Sequence, residues 1–149
     1  MRTALICVSA AVTWFATAGS AWAWPSVCAP PGAQLVFDVA FSALHENAVI
    51  IRQQRGRTLR RFNNYFGRGA GREWHQGAGT WTSPRSDRRQ CYEIVGRNKK
   101  GRPSARLPWT PSRHRVRRNI VGFEDAGDND FNDVRVSVRF AGCCPTIRP

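Results

Sequence analysis

The sequence predicts an all-β fold: an antiparallel, jelly-roll-like β-sandwich, disulfide-bonded, following a cleaved signal peptide. Three observations carry this reading. Residues 134–140 alternate Val, Arg, Val, Ser, Val, Arg, Phe, the period of a strand with one buried face. Thirteen Gly and nine Pro cut the chain into short segments, as in sandwiches and barrels. Cysteines gather downstream of an N-terminus built like an export leader.

The leader covers residues 1–23. Arg2 is followed by an apolar run over 4–18, and Ala21-Trp22-Ala23 forms an A-x-A cleavage site. The run is shorter than the roughly 20 residues of a membrane-spanning helix, so no span is expected after cleavage. Residues 24–149 then form one domain in the periplasm, at the cell surface or outside the cell.

Within that domain, 24–32 is a Pro-containing entry segment. Leu35, Phe37, Val39 and Phe41 mark a buried strand, and 48–52 a second; a helix over 33–55 fits the period less well. Residues 55–89 are basic and Gly-rich and read as loops and short strands. Gly67, Gly69 and Gly71 form a Gly-x-Gly-x-Gly run without the helix that a phosphate loop needs. A strand at 91–95 precedes a loop at 98–111 containing Pro103, Pro108 and Pro111. The last two strands are 115–123 and 134–140.

Cys7 leaves with the leader, so Cys28, Cys91, Cys143 and Cys144 remain. Adjacent Cα atoms lie about 3.8 Å apart, below the span of a relaxed disulfide. Cys143 and Cys144 are therefore expected to pair separately with Cys28 and Cys91, in either order. With no C-x-x-C spacing, a thiolate metal site is not indicated.

Charge is the other strong signal. The chain carries 23 basic and 10 acidic side chains, a net +13. Yet five of the ten acids, Glu124, Asp125, Asp128, Asp130 and Asp133, crowd into positions 124–133 with Asn129 and Asn132 among them. Such a loop needs a positive partner, and an all-oxygen donor set suits Ca²⁺ rather than Zn²⁺ or Cu²⁺. It is no EF-hand, because Asp133 stands where that loop requires Gly and Arg139 where it requires Glu. The competing reading is a hairpin loop whose Asx side chains cap turns.

Gly122-Phe123-Glu124-Asp125, a spacer, then Asp128-Asn129-Asp130-Phe131-Asn132-Asp133 before an alternating strand resembles a domain family of exported bacterial proteins. That family, of unknown function, occurs in surface, adhesin-like and PEP-sorted proteins. The resemblance implies a β-sandwich that binds calcium through Glu124, Asp125, Asp128, Asp130 and Asp133, supported by Asn129 and Asn132. Looser echoes lie at Asn47 to Ile51, at Asn63-Asn64 and at Trp109 to Arg113.

The basic residues group as well. Arg113, Arg115 and Arg117 share one face of an extended segment, and Arg52, Arg55, Arg57, Arg60 and Arg61 lie near Phe62, Tyr65 and Phe66. Such surfaces suit acidic polysaccharides or other extracellular polyanions, and nucleic acid is a poorer fit in an exported protein. The alternative is a solvated surface from an Arg-favouring genome, since 21 of the 23 basic residues are Arg. His45, His75 and His114 are scattered outside any catalytic motif, and no enzyme is expected. The functional expectation is a secreted Ca²⁺-binding module with a structural or adhesive role; the alternative is a cationic module for acidic polymers.

Overall fold

A computed structural model of the chain describes residues 14–15, 24–43, 45–54, 56–64, 74–99, 108–125 and 129–141. Alternation makes strands wherever the sequence carries it. Leu35–Ala43 (β3) and Val134–Phe140 (β11) pair antiparallel over seven positions, from Phe41 opposite Val134 to Leu35 opposite Phe140. Every second residue of β11 is buried and the intervening Arg135 and Arg139 are exposed. The 33–55 region is β3 followed by Glu46–Gln53 (β4), not a helix.

The remaining described strands are Trp14–Phe15 (β1), Ser26–Ala29 (β2), Thr58–Asn63 (β5), Trp74–Thr82 (β6) and Gln90–Lys99 (β7). Thr110–Pro111 (β8), Arg113–Arg117 (β9) and Ile120–Glu124 (β10) follow. They form two antiparallel sheets. One runs β1-β2-β7-β4-β5 with β8 beside β7, and the other runs β6-β3-β11-β10-β9.

The sheets face each other across one apolar core. Phe37, Val39, Val121, Phe123, Val136 and Val138 of the second sheet meet Val27, Val49, Ile51, Tyr92 and Ile94 of the first. Tyr92 lies edge-on to both Phe37 and Trp81. At Gly96 of β7 a Cβ would fall 2.2 Å from the Phe123 ring, so the glycine lets that ring seat between the sheets.

Four expectations are corrected or refined. The segment 115–123 is not one strand but the hairpin β9–β10, with Arg117 opposite Ile120 and Arg118 at a φ of 52°. Its turn contains neither Gly nor Pro, so no punctuation announces it. The Gly-rich region holds a full nine-residue strand, β6, whose register slips opposite Val39 and Ala40. The expected loop over 98–111 begins inside a strand, because β7 runs on to Lys99. The cysteine expectation also fails. The β2–β7 register sets Cys28 opposite Cys91, and the two form a disulfide with Cα atoms 4.0 Å apart. Cross-strand register, not the crowding of Cys143 and Cys144, selects the partner. Cys143 and Cys144 themselves lie outside the described residues.

Two residues of the expected leader, Trp14 and Phe15, pair with Val27 and Ser26. β2 otherwise ends this sheet, and its open ladder of backbone groups accepts an extended segment. The rest of 1–23, cleavage site included, lies outside the described residues. Among those described, no helix is long and apolar enough to cross a membrane.

Candidate metal centre and basic groove

The acidic loop leaves β10 at Glu124 and re-enters the sheet at Val134. It folds back over the outer face of β10. Phe131 donates its N–H to Glu124 Oε2 at 3.1 Å, and Asp125 donates its N–H to Asp133 Oδ2 at 2.7 Å. These bonds close the loop on itself and turn its carboxylates inward. Carboxylate oxygens of Glu124, Asp125 and Asp133 come within 4.8 Å of one another, although Glu124 and Asp125 are each only 2% exposed.

The opposite sheet completes the cluster. Asn47, at the start of β4, donates from Nδ2 to Asp125 Oδ2 at 2.6 Å. Asn64, just past β5, accepts the Asn47 N–H on Oδ1 at 2.7 Å and donates to the His45 carbonyl at 2.8 Å. Asn47 is 1% exposed, and its Oδ1 is buried with no hydrogen-bond partner. A buried amide oxygen left in that state costs roughly 1–3 kcal/mol unless a ligand satisfies it.

Burial, joined by the Asp125 and Glu124 carboxylates, raises the Asp133 pKa to about 7, against the downward pull of the Asp125 N–H it accepts. Three carboxylates supply hard oxygen donors around one point, and the Asn47 amide is hydrogen-bonded to one of them. That set fits Ca²⁺: it offers charge, oxygen and no nitrogen or sulfur.

Of the expected ligands, then, Glu124, Asp125 and Asp133 converge. Asp130 is exposed and accepts from the Asn132 backbone N–H at 3.0 Å and from Asn132 Nδ2, capping the turn. Asn129 is exposed at a φ of 63°, and Asp128 lies outside the described residues. Asn47 and Asn64, hydrogen-bonded at the acidic cluster, are positions that the residue-level reading missed. Their only sequence signal was a polar residue at the edge of an apolar run, and they entered only as loose echoes of a family pattern.

Gly122 holds the loop down. A Cβ there would fall 2.3 Å from the Phe131 carbonyl oxygen, a backbone atom that moves only if the loop moves. Gly122→Ala is expected to cost about 1–3 kcal/mol and to weaken Ca²⁺ binding, read by calorimetry. Unchanged Ca²⁺ affinity would show that loop seating and cation binding are independent.

The basic residues sort into two kinds. Arg113 and Arg115 lie over the Phe131 ring, their guanidinium carbons 5.8 and 4.4 Å from its centroid. Beside them a groove of about 260 Å³ runs between Arg115, Arg117, Ile120, Gly122, Asp130, Phe131 and Arg135. The second expected cluster is dispersed instead. Arg52 pairs with Glu93 at 2.7 Å, Arg60 lies over Phe62, and Arg61 shares the Trp109 ring with Lys99. Arg55, Tyr65 and Phe66 lie outside the described residues. His114 packs between Trp24 and Phe123, and burial lowers its pKa.

No protein-family model and no curated protein matches the chain. Solved structures do. The chain is similar to the C-terminal domain of BC2L-C lectin from Burkholderia cenocepacia, at 23% identity and a TM-score of 0.50, covering 76% of this chain and 91% of that one. It is also similar to the Ralstonia solanacearum high-affinity mannose-binding lectin, at 16% identity and a TM-score of 0.51, covering 76% and 92%. At these identities the likeness is one of fold: a two-sheet β architecture shared with bacterial lectin domains.

Proposed function

We propose that this protein is an exported carbohydrate-binding module whose acidic loop holds Ca²⁺. The observation that carries the proposal is the convergence of three carboxylates, two of them buried, on an Asn47 amide whose own Oδ1 is buried without a partner. Glu124, Asp125 and Asp133 would hold the ion, Asn47 would position the Asp125 carboxylate through its Nδ2, and Asp130 and Asn132 offer oxygen donors nearby on the loop. A Ca²⁺ ion takes six to eight oxygens, so held by three carboxylates it would retain positions for sugar hydroxyls on the half-buried Asp133 side. The lectin names of the two structural neighbours support the choice of carbohydrate. The motif resemblance, which implies an exported domain with a calcium-binding loop, supports the cation and the extracellular setting.

The chain's own residues set the pH range. With its pKa near 7, Asp133 must lose a proton before it can bind a cation. Ca²⁺ affinity is therefore expected to rise with pH up to about 7 and level off above it, changing by about tenfold per unit below if one proton is displaced.

A glycan array probed in Ca²⁺ and again in chelator tests the function. Binding to a subset of glycans in Ca²⁺, lost in chelator and weakened at pH 5.5, is the expected result. Glycan binding indifferent to chelator would instead favour the cationic module with no metal site. No glycan binding in either buffer would remove the carbohydrate reading.

A further inference from the structure

The groove beside the acidic loop has a construction that general basicity does not explain. β9, β10 and β11 are in register so that Gly122 stands between Arg115 and Arg135. Neighbouring strands are about 4.8 Å apart, which sets the two arginine backbones roughly 9.6 Å apart across a residue with no side chain. The Phe131 backbone packs over Gly122 between the two arginines, and the trough opens alongside it with cations on its walls. Arg117 continues one wall, two positions along β9, and Ile120 forms an apolar part of the floor.

These cations are available. The ion pairs Arg52–Glu93, Lys99–Glu46 and Arg139–Asp38 engage none of Arg115, Arg117 and Arg135. The one acid lining the groove, Asp130, already accepts two hydrogen bonds from Asn132. Arg115 is also oriented, because its guanidinium lies 4.4 Å above the Phe131 ring. A stacked guanidinium has less rotamer freedom to lose when it binds a ligand.

The groove also adjoins the proposed cation site. Phe131 and Asp130 line it, and the same Phe131 donates its N–H to the buried Glu124 carboxylate. A ligand held at the loop would extend into a trough whose walls carry three guanidiniums. We infer that this trough seats the carboxylate of an acidic saccharide, so that the glycans bound are uronic-acid-containing rather than neutral. The planar carboxylate matches the guanidinium fork, which can take it with two parallel hydrogen bonds. The inference rests on the carbohydrate reading above and narrows its ligand class.

Calorimetry on the Ca²⁺-loaded protein tests it with matched pairs of methyl hexosides and methyl hexuronosides in the manno, gluco and galacto series. Each pair differs only at C6. The uronoside of the bound series is expected to bind about tenfold or more tighter than its neutral partner, the gain of one charge-assisted hydrogen bond or better. The R115S/R135S double variant should erase that preference, so that uronoside and neutral partner bind with equal affinity. R85S/R88S, which removes equal charge from exposed positions in the β6–β7 connection, should keep it. Equal affinities within the bound pair, or a preference that survives R115S/R135S, would overturn the seat while leaving carbohydrate binding intact. Binding of none of these glycosides would bring down the carbohydrate reading itself, and the seat with it.

Discussion

Asp133→Asn is expected to shift stability in opposite directions with and without calcium. In chelator at pH 8 the variant should melt at or above the parent protein. In Ca²⁺ it should melt well below it. The amide keeps an Oδ acceptor for the Asp125 N–H, so the 2.7 Å bond that closes the loop can survive. What it removes is the charge. The metal-free fold must ionise Asp133 beside Asp125 and Glu124, and its pKa is lifted from 3.8 to about 7. A folded-state pKa above the unfolded one means that the native state holds a proton the unfolded chain has released. Metal-free stability therefore falls as pH rises from about 4 to about 7, and Asn at this position is spared that loss. A cation reverses the account by taking the proton's place. At free Ca²⁺ about a hundred times its dissociation constant, the parent gains about 2.7 kcal/mol, or roughly 10 °C in a domain of this size. Superimposable parent melting curves in Ca²⁺ and chelator would reduce the loop to a capped turn. An equal Ca²⁺ response in the variant would take Asp133 out of the site.

How far the sequence could be read depends on the range of the interaction involved. β3 and β11 were legible because alternation is local: Val134, Val136 and Val138 each declare a buried face without reference to a partner. The β9–β10 turn was not, because a lone Asn119 without Gly or Pro is a weak signal and the left-handed φ falls on Arg118, imposed by pairing Arg117 with Ile120. β6 was hidden for the converse reason. Gly77 and Gly79 read as loop residues, yet the neighbouring β3 supplies the ladder that a Gly-rich segment would not form alone.

The site divides along the same line. The concentration of acids at 124–133 is visible in any composition window, and three of them do converge. Asn47 and Asn64 come from the other sheet, 78 and 61 positions from Asp125 in sequence, and only the packing of sheet on sheet brings them to the loop. The groove needed register too. Arg113, Arg115 and Arg117 show their spacing directly, whereas Arg135 joins them only because Gly122 pairs with both Arg115 and Arg135.

The disulfide gives the larger stability effect and a separate check on register. Replacing Cys28 and Cys91 together with Ser should cost about 4 kcal/mol by the chain-entropy account, because the bridge closes a separation of 63 residues. Geometry adds to the loss. β2 is four residues long and is held to the sheet by its pairing with β7 on one side and by Trp14–Phe15 on the other. In a chain cleaved after Ala23, as the export proposal requires, only the β7 ladder and the bridge would hold β2, so backbone amides 26–29 should exchange much faster in the double variant. The Ca²⁺ increment in melting temperature should persist, since neither cysteine hydrogen-bonds to a loop residue and independent sites add. Tryptic mapping of non-reduced protein should recover the peptide ending at Arg52 joined to the peptide spanning residues 90–97. A link from Cys28 or Cys91 to Cys143 or Cys144 would refute the β2–β7 register. A double variant that melts within about 1 kcal/mol of the parent would show that the sheet holds β2 without the covalent bond.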